Sequence, residues 1–237
     1  MPFQISPLLE SDTAAFARAE AAAAENWPYA QAMKTAGTPR HIFVEEWARK
    51  QIGADKTVHW LKATDTETGE LVGAALWKIP DGGAAEMGQA DVPVQATALT
   101  PADKKADAGG IRHNGGSPDE MEDMGGNAAL FASTEKMWRA FEAEYIGTRP
   151  YALLQLLLTH PDHQRRGAGT MLVRWGCERA DAAGLMCALS SSAAGQKVYT
   201  QQGFEIVVEE EYDLKPYGVD AVEVRRRMIR PAKSAAR

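Results

Sequence analysis

The residues of this chain best placed to do chemistry fall in one run: Leu157-Leu158-Thr159-His160-Pro161-Asp162-His163-Gln164-Arg165-Arg166-Gly167-Ala168-Gly169. An apolar stretch enters a His-Pro-Asp turn, a basic segment follows, and two glycines stand one residue apart where a helical pattern begins. A helix N-terminus presents unsatisfied N–H groups and the positive end of the macrodipole, so this arrangement suits a phosphate group. Gly167 and Gly169 let the backbone approach a pyrophosphate closely, and Arg165 and Arg166 add charge. Two other phosphate loops are excluded. No Lys-Ser or Lys-Thr follows the glycines, as a P-loop requires, and Thr170-Met171-Leu172 does not complete a Gly-x-Gly-x-x-Gly fingerprint. Taken alone, the Gly-x-Gly start is equally the small-residue opening of an ordinary helix. His41, His59, His113, His160 and His163 show no metal-ligand spacing beyond the pair His160/His163, which the turn itself explains, so no metal is expected. Arg225-Arg226-Arg227, on a strand, reads as a solvated edge.

These residues need elements to hold them. Residues 3–9 read as a first strand. Ser11 and Asp12 are N-cap candidates for the Ala/Glu-rich helix that runs to about Glu25, and Asn26-Trp27-Pro28-Tyr29 breaks it. A second helix is expected over 40–51. Residues 57–64 and 70–79 form an antiparallel hairpin across Thr66-Glu67-Thr68-Gly69. From Pro80 to Asn127 the chain is rich in Gly, Ala, Asp and Pro with no steady period, and reads as a long insertion or a flexible lid without a core of its own. Phe131, Thr134, Trp138, Phe141 and Tyr145 then mark the core face of a helix closed by Gly147 and Pro150. Tyr151–Leu158 is a continuous apolar run, as in a strand buried on both faces. A helix over 167–183, a short strand over 185–189, a helix over 193–202 ended by Gly203, and strands near 204–212 and 222–229 complete the chain.

Two segments carry a resemblance. Gln164-Arg165-Arg166-Gly167-Ala168-Gly169 is similar to the Q/R-x-x-G-x-G/A signature of the GNAT superfamily of N-acetyltransferases, with the usual His-Pro ahead of it. Val198-Tyr199-Thr200-Gln201-Gln202-Gly203-Phe204 is similar to that family's Y-x-x-x-G-F helix ending. One helix and one strand separate the two, as the family requires. The resemblance covers residues 151–212, and the earlier elements fit its order coarsely. It implies an α/β (α+β) GNAT fold over residues 1–237 as one domain: a central mixed, mostly antiparallel sheet flanked by helices, with the 80–127 insertion before the central strand.

The resemblance also implies roles. The amides of Arg165, Arg166, Gly167, Ala168, Gly169 and Thr170, with Gln164 leading the loop, hold the pyrophosphate of acetyl-CoA. Leu157, Leu158 and Thr159 pair with its pantetheine arm, and one of their amides polarises the thioester carbonyl. Tyr199 is the general acid that protonates the departing thiolate; a phenol with an ordinary pKa near ~10 is protonated at neutral pH. The alternative for Tyr199 is a core position on an amphipathic helix. The chain departs from the family twice. Ser190-Ser191-Ser192 stand where many relatives have an Asn, leaving Ser192 as the cofactor contact. Leu153, Leu154 and Gln155 stand where many have a glutamate base. An ammonium of pKa ~10 must lose a proton before it attacks; His160, water or a residue of the first helices could take it. Trp27 and Tyr29 fall where the family builds its acceptor wall, and equally suit a core.

Composition sets the remaining bounds. A net charge of −6 over 237 residues argues against general nucleic-acid binding. No apolar run reaches the length of a membrane span, and the N-terminus lacks a signal-peptide pattern. Cys177 and Cys187 give neither a disulfide framework nor metal spacing. A soluble, cytoplasmic enzyme is expected, moving acetyl groups to a primary amine of a small molecule. The alternatives are acetylation of a protein lysine or N-terminus, and a CoA-binding module without catalysis.

Overall fold

The computed structural model describes residues 2–33, 39–81, 118–123 and 125–233. Seven strands make one sheet in the order β1-β2-β3-β4-β5-β7-β6. They are β1 (Phe3–Pro7), β2 (Val58–Asp65), β3 (Leu71–Lys78), β4 (Tyr151–Thr159), β5 (Met186–Ser191), β6 (Glu205–Asp213) and β7 (Val222–Arg230). Every neighbouring pair is antiparallel except β4 and β5. This is the mixed, mostly antiparallel sheet expected, with the β2–β3 hairpin in place.

Seven α-helices lie among the described residues: α1 (Thr13–Ala24), α2 (Pro28–Ala32), α3 (Arg40–Gln51), α4 (Pro118–Asp123), α5 (Ala128–Phe141), α6 (Ala168–Ala182) and α7 (Gln196–Thr200). None is long and apolar enough to cross a membrane. The sheet separates two apolar layers. On one face α6 lays Leu172, Val173, Cys177 and Ala180 against Trp77, Ala75 and Leu154; on the other, Phe16, Phe43 and Val44 of α1 and α3 meet Leu76, Trp60 and Leu158. The α6 stripe has the i, i+1, i+5, i+8 spacing of a helix with one buried face. Its close approach depends on Gly176, where a Cβ would stand 2.0 Å from the Trp77 ring. Trp77 is fully buried, and its indole N–H reaches the Leu172 carbonyl at 3.3 Å. Burial of a large side chain stabilises by about 1.5–3 kcal/mol, so this contact fixes α6, and with it the loop at its start, over β3.

Several expectations are corrected. Asp12 does not cap α1 with its side chain; the carboxylate instead accepts from the Leu9 amide at 2.9 Å and Lys62 at 2.6 Å, closing a 3-10 turn ahead of the helix. The 193–202 helix shrinks to the five residues of α7, because β5 runs on to Ser191 and the chain must turn first. The 80–127 insertion lies largely outside the described residues, yet its end is ordered: α4 buries Met121 in the shared core, and Asn127 ties the start of α5 to the Ala32 carbonyl at 3.1 Å. Arg225-Arg226-Arg227 is no solvated edge. β7 lies between β5 and β6, and Arg227 is only 1% exposed. It is held there by Glu210 at 2.6 Å, by the Tyr212 hydroxyl and by the Trp138 ring.

Candidate functional site

Two features of β4 open a cleft in the middle of the sheet. Gln155 is an extra residue in its pairing with β3, since Leu76 faces Leu156 while Trp77 faces Leu154. Such a bulge bends the strand. On the other side, β4 pairs with β5 only from Tyr151 to Leu154, and beyond that the parallel strands part. Residues 156–159 therefore keep β3 on one edge and, among the described residues, have no strand on the other. The amide of His160 bonds to Val72, and the Leu158 carbonyl lies against Gly73. Antiparallel ladders alternate, so Leu158 points its backbone toward β3 while Leu157 and Thr159 turn theirs to the open edge.

That edge borders a cleft of about 880 Å³. Its walls bring together nearly every residue that the resemblance singled out: Leu157, Leu158, Thr159, Gln164, Arg165, Gly167, Ala168, Gly169, Thr170, Ser192 and Tyr199. The loop between β4 and α6 explains the convergence. Arg165 has φ 60° and Gly167 φ 99°, both left-handed, and a non-glycine residue in that region needs support from its surroundings. The first bond within α6 runs from the Met171 amide to the Gly167 carbonyl at 3.1 Å. The amides of Ala168, Gly169 and Thr170 precede it and are the open donors of a 15-residue helix. A Cβ on Gly169 would sit 3.4 Å from Thr159 Oγ1, so the loop lies close against the end of β4.

Arg166 departs from the expectation. Its side chain is not among those lining the cleft; it pairs with Asp65 at 3.2 Å, bonds His163 at 2.9 Å and lies over the Phe3 ring. The Glu67 amide above all, against some desolvation, and with help from Arg166, holds the Asp65 carboxyl below its usual range. Arg166 thus fastens the loop to β1 and β2, leaving Arg165 to supply positive charge in the cleft. His160 also serves the turn, accepting from the Asp162 amide, and lies outside the cleft lining. Among the described residues no group of three or more metal-binding side chains occurs.

Tyr199 is 7% exposed and faces the cleft from α7. Its ring packs edge-on against Phe204 and close against Gly195, where a Cβ would come within 2.7 Å of it. Burial raises its phenol above the ordinary pKa, and Arg225 offsets part of that. The group therefore stays protonated throughout the neutral range and can donate.

The structure adds residues that sequence reasoning missed. Glu20 of α1, 7% exposed, reaches the cleft wall and holds Arg40 through both carboxylate oxygens. A readable signal existed: Glu20 follows Phe16 by four residues on the buried face of an Ala-rich helix. Glu223 of β7 accepts from the Trp27 indole at 2.9 Å, the Tyr29 amide at 3.3 Å and Arg225 at 3.1 Å. With Arg225 lying over both aromatic rings, it straps the 26–29 segment across the cleft. Arg226 lines the cleft beside Ser191 and stands 2.6 Å from Glu209. No sequence signal announced Glu223 or Arg226, because each depends on where β7 lies in the sheet.

Comparison with known proteins agrees with this geometry. Residues 131–206 match the family model of the acetyltransferase (GNAT) domain. No curated protein matches in sequence. Among solved structures, the fold is similar to a histone acetyltransferase HPA2 and related acetyltransferase from Corynebacterium glutamicum, at 17% identity and TM-score 0.58, covering 100% of both chains. It is also similar to an agmatine N-acetyltransferase, at 10% identity and TM-score 0.61, covering 97% of this chain and 99% of that one. A third likeness is to yncA of Salmonella typhimurium, solved with its cofactor acetyl-CoA, at 13% identity and TM-score 0.53, covering 100% and 98%. At these identities the structures speak to the fold.

Proposed function

We propose that this chain, which carries a GNAT acetyltransferase domain, moves the acetyl group of acetyl-CoA to a primary amine of a small molecule by direct attack on the thioester. The observation that carries the proposal is the convergence on one cleft of an anion-binding helix start, an unpaired strand edge and a buried, protonated tyrosine. The amides of Ala168, Gly169 and Thr170 take the pyrophosphate, aided by Arg165 and by the positive end of α6. The pantetheine arm lies along Leu157 and Thr159 as a missing neighbour strand would. The Leu157 N–H donates to the thioester oxygen, where negative charge grows as the amine attacks.

The amine nitrogen forms a bond to the carbonyl carbon, and collapse breaks the C–S bond. Tyr199 passes its proton to the leaving sulfur, giving free CoA thiol. The ammonium gives up two protons in becoming an amide: one balances the proton on sulfur and the other goes to solvent. A small acceptor is favoured over a folded protein because the 26–29 segment, strapped down by Glu223, covers the acceptor side. Thiol release from acetyl-CoA, measured against primary amines, lysine peptides and peptide N-termini, tests the reading. A protein that binds acetyl-CoA and acetylates only the peptides would overturn the small-molecule assignment, and one that acetylates nothing would overturn catalysis.

A further inference from the structure

A side chamber of about 140 Å³ adjoins the cleft, and the two share Glu20, Trp27 and Leu156. Leu156 immediately precedes the cleft-facing backbone of Leu157, so the chamber meets the cleft beside the position of the thioester. Its described walls are apolar and strongly aromatic, with Trp27, Tyr29, Phe43 and Trp47 contributing rings. An apolar cavity of about 150 Å³ holds one benzene molecule, so this chamber admits a six-membered ring or an alkyl group of that bulk.

Polar groups at the chamber select what that ring carries. Gln155, displaced by the bulge in β4, lines it with a buried side-chain oxygen that has no hydrogen-bond partner. A buried acceptor left unmatched is costly, and an N–H donor from a ligand would remove the cost. Glu20, at the junction with the cleft, accepts from Arg40, yet a carboxylate has about four acceptor positions, which leaves room for another donor. Both oxygens accept from an N–H donor, and the Glu20 carboxylate favours one that is positively charged. The described walls contain no second carboxylate for another ammonium. Arg40, the one cation among them, already serves Glu20 and the Ala30 carbonyl, and the unmatched donor in these walls, the Trp47 indole N–H, is neutral, so a ligand carboxylate would be buried without a charged partner.

Building on the acetyl-transfer reading above, we infer that the acceptor is a primary monoamine on an arylalkyl or comparably bulky apolar group, its ring in this chamber and its nitrogen between Glu20 and Gln155. The apolar walls exclude water from the ring, and the two oxygens hold the nitrogen toward the thioester.

The test compares 2-phenylethylamine with ethylamine, agmatine and phenylalanine as acceptors at saturating acetyl-CoA, and titrates each amine calorimetrically into the free protein. The expected kcat/KM for 2-phenylethylamine exceeds that for ethylamine by about 30-fold, the worth of burying the ring, and exceeds those for agmatine and phenylalanine by at least 10-fold. Glu20→Gln and Gln155→Leu should each raise the amine KM by about 10-fold while leaving the acetyl-CoA KM unchanged. If Glu20→Gln fails to fold, Gln155→Leu still decides, since it replaces an unmatched amide with an apolar side chain of similar volume. Preference for agmatine or phenylalanine, or an amine KM indifferent to Gln155→Leu, overturns the inference while acetyl transfer stands. Calorimetric binding of 2-phenylethylamine that Gln155→Leu weakens, in a protein that does not turn over acetyl-CoA, would uphold the chamber and sink the transferase reading instead.

Discussion

Gly195→Ala is the most informative single perturbation of this site, because it reaches the tyrosine hydroxyl without altering it. Gly195 has φ −81° and ψ −22°, ordinary right-handed values, so alanine costs the backbone nothing there. The added Cβ, however, would stand 2.7 Å from Tyr199 Cε2 and 3.4 Å from Cζ. The ring must retreat by about 0.7 Å to reach ordinary contact. It is wedged edge-on against Phe204, so the movement turns the hydroxyl away from its position instead of dissipating. A displacement near 1 Å can cost a positioned catalytic group about 10²-fold in rate. We expect kcat to fall by about 10²-fold, with acetyl-CoA affinity changed less than about threefold and melting temperature within a few degrees. Initial rates by thiol release, calorimetry with acetyl-CoA and thermal melts measure the three. The double variant with Tyr199→Phe should be no slower than Tyr199→Phe alone, since both act through one hydroxyl. A fully active Gly195→Ala, or additive losses in the double variant, would refute the assignment of Tyr199 as the acid.

The other expectations are direct. Tyr199→Phe should lower kcat by about 10²–10⁴-fold with little change in acetyl-CoA affinity; because burial raises the phenol, wild-type kcat should show no alkaline fall from this group up to pH 10, and a fall assigned to it would contradict the burial. Gly169→Glu places bulk and negative charge beside the open amides of α6 and should weaken acetyl-CoA binding at least 10-fold by calorimetry, with the fold intact by circular dichroism. Asp181→Ala leaves the buried Arg230 without the partner that now meets it at 2.7 Å through two bonds, and should cost about 3 kcal/mol in urea unfolding. Burial pushes the Asp181 carboxyl up, but the hydrogen bonds and charge of Arg230 outweigh it and hold the pKa below the ordinary carboxylate value. The stability it supplies is therefore complete above that ordinary value and is lost as pH falls through the lower folded one, a loss that the alanine variant should not show.

The residues proposed here to hold the cofactor could be grouped from the chain alone because they are local. A strand, a turn, Gly167, Gly169 and a helix start are consecutive, and their chemistry follows from backbone amides that any reader of the order can place. The helical spacing of Phe131, Thr134, Trp138, Phe141 and Tyr145 announced a buried face for the same reason; the first four are buried in α5, while Tyr145, in the turn beyond it, is half-buried. The proposed acceptor half could not be grouped this way, because nothing consecutive makes it. Glu20, Arg40, Gln155 and Glu223 come from α1, α3, β4 and β7, and only the tertiary packing brings them to the cleft and the chamber beside it. The arginine run shows the difference most plainly. On sequence it reads as a charged edge, since three adjacent guanidiniums are costly to bury. The tertiary structure inserts β7 between β5 and β6 and supplies Glu223, Glu209 and Glu210 as partners, one for each arginine. Local order determined where the open amides of a helix start face the cleft. Long-range pairing decided which charges could be buried, because a charge enters the interior only where another part of the chain meets it.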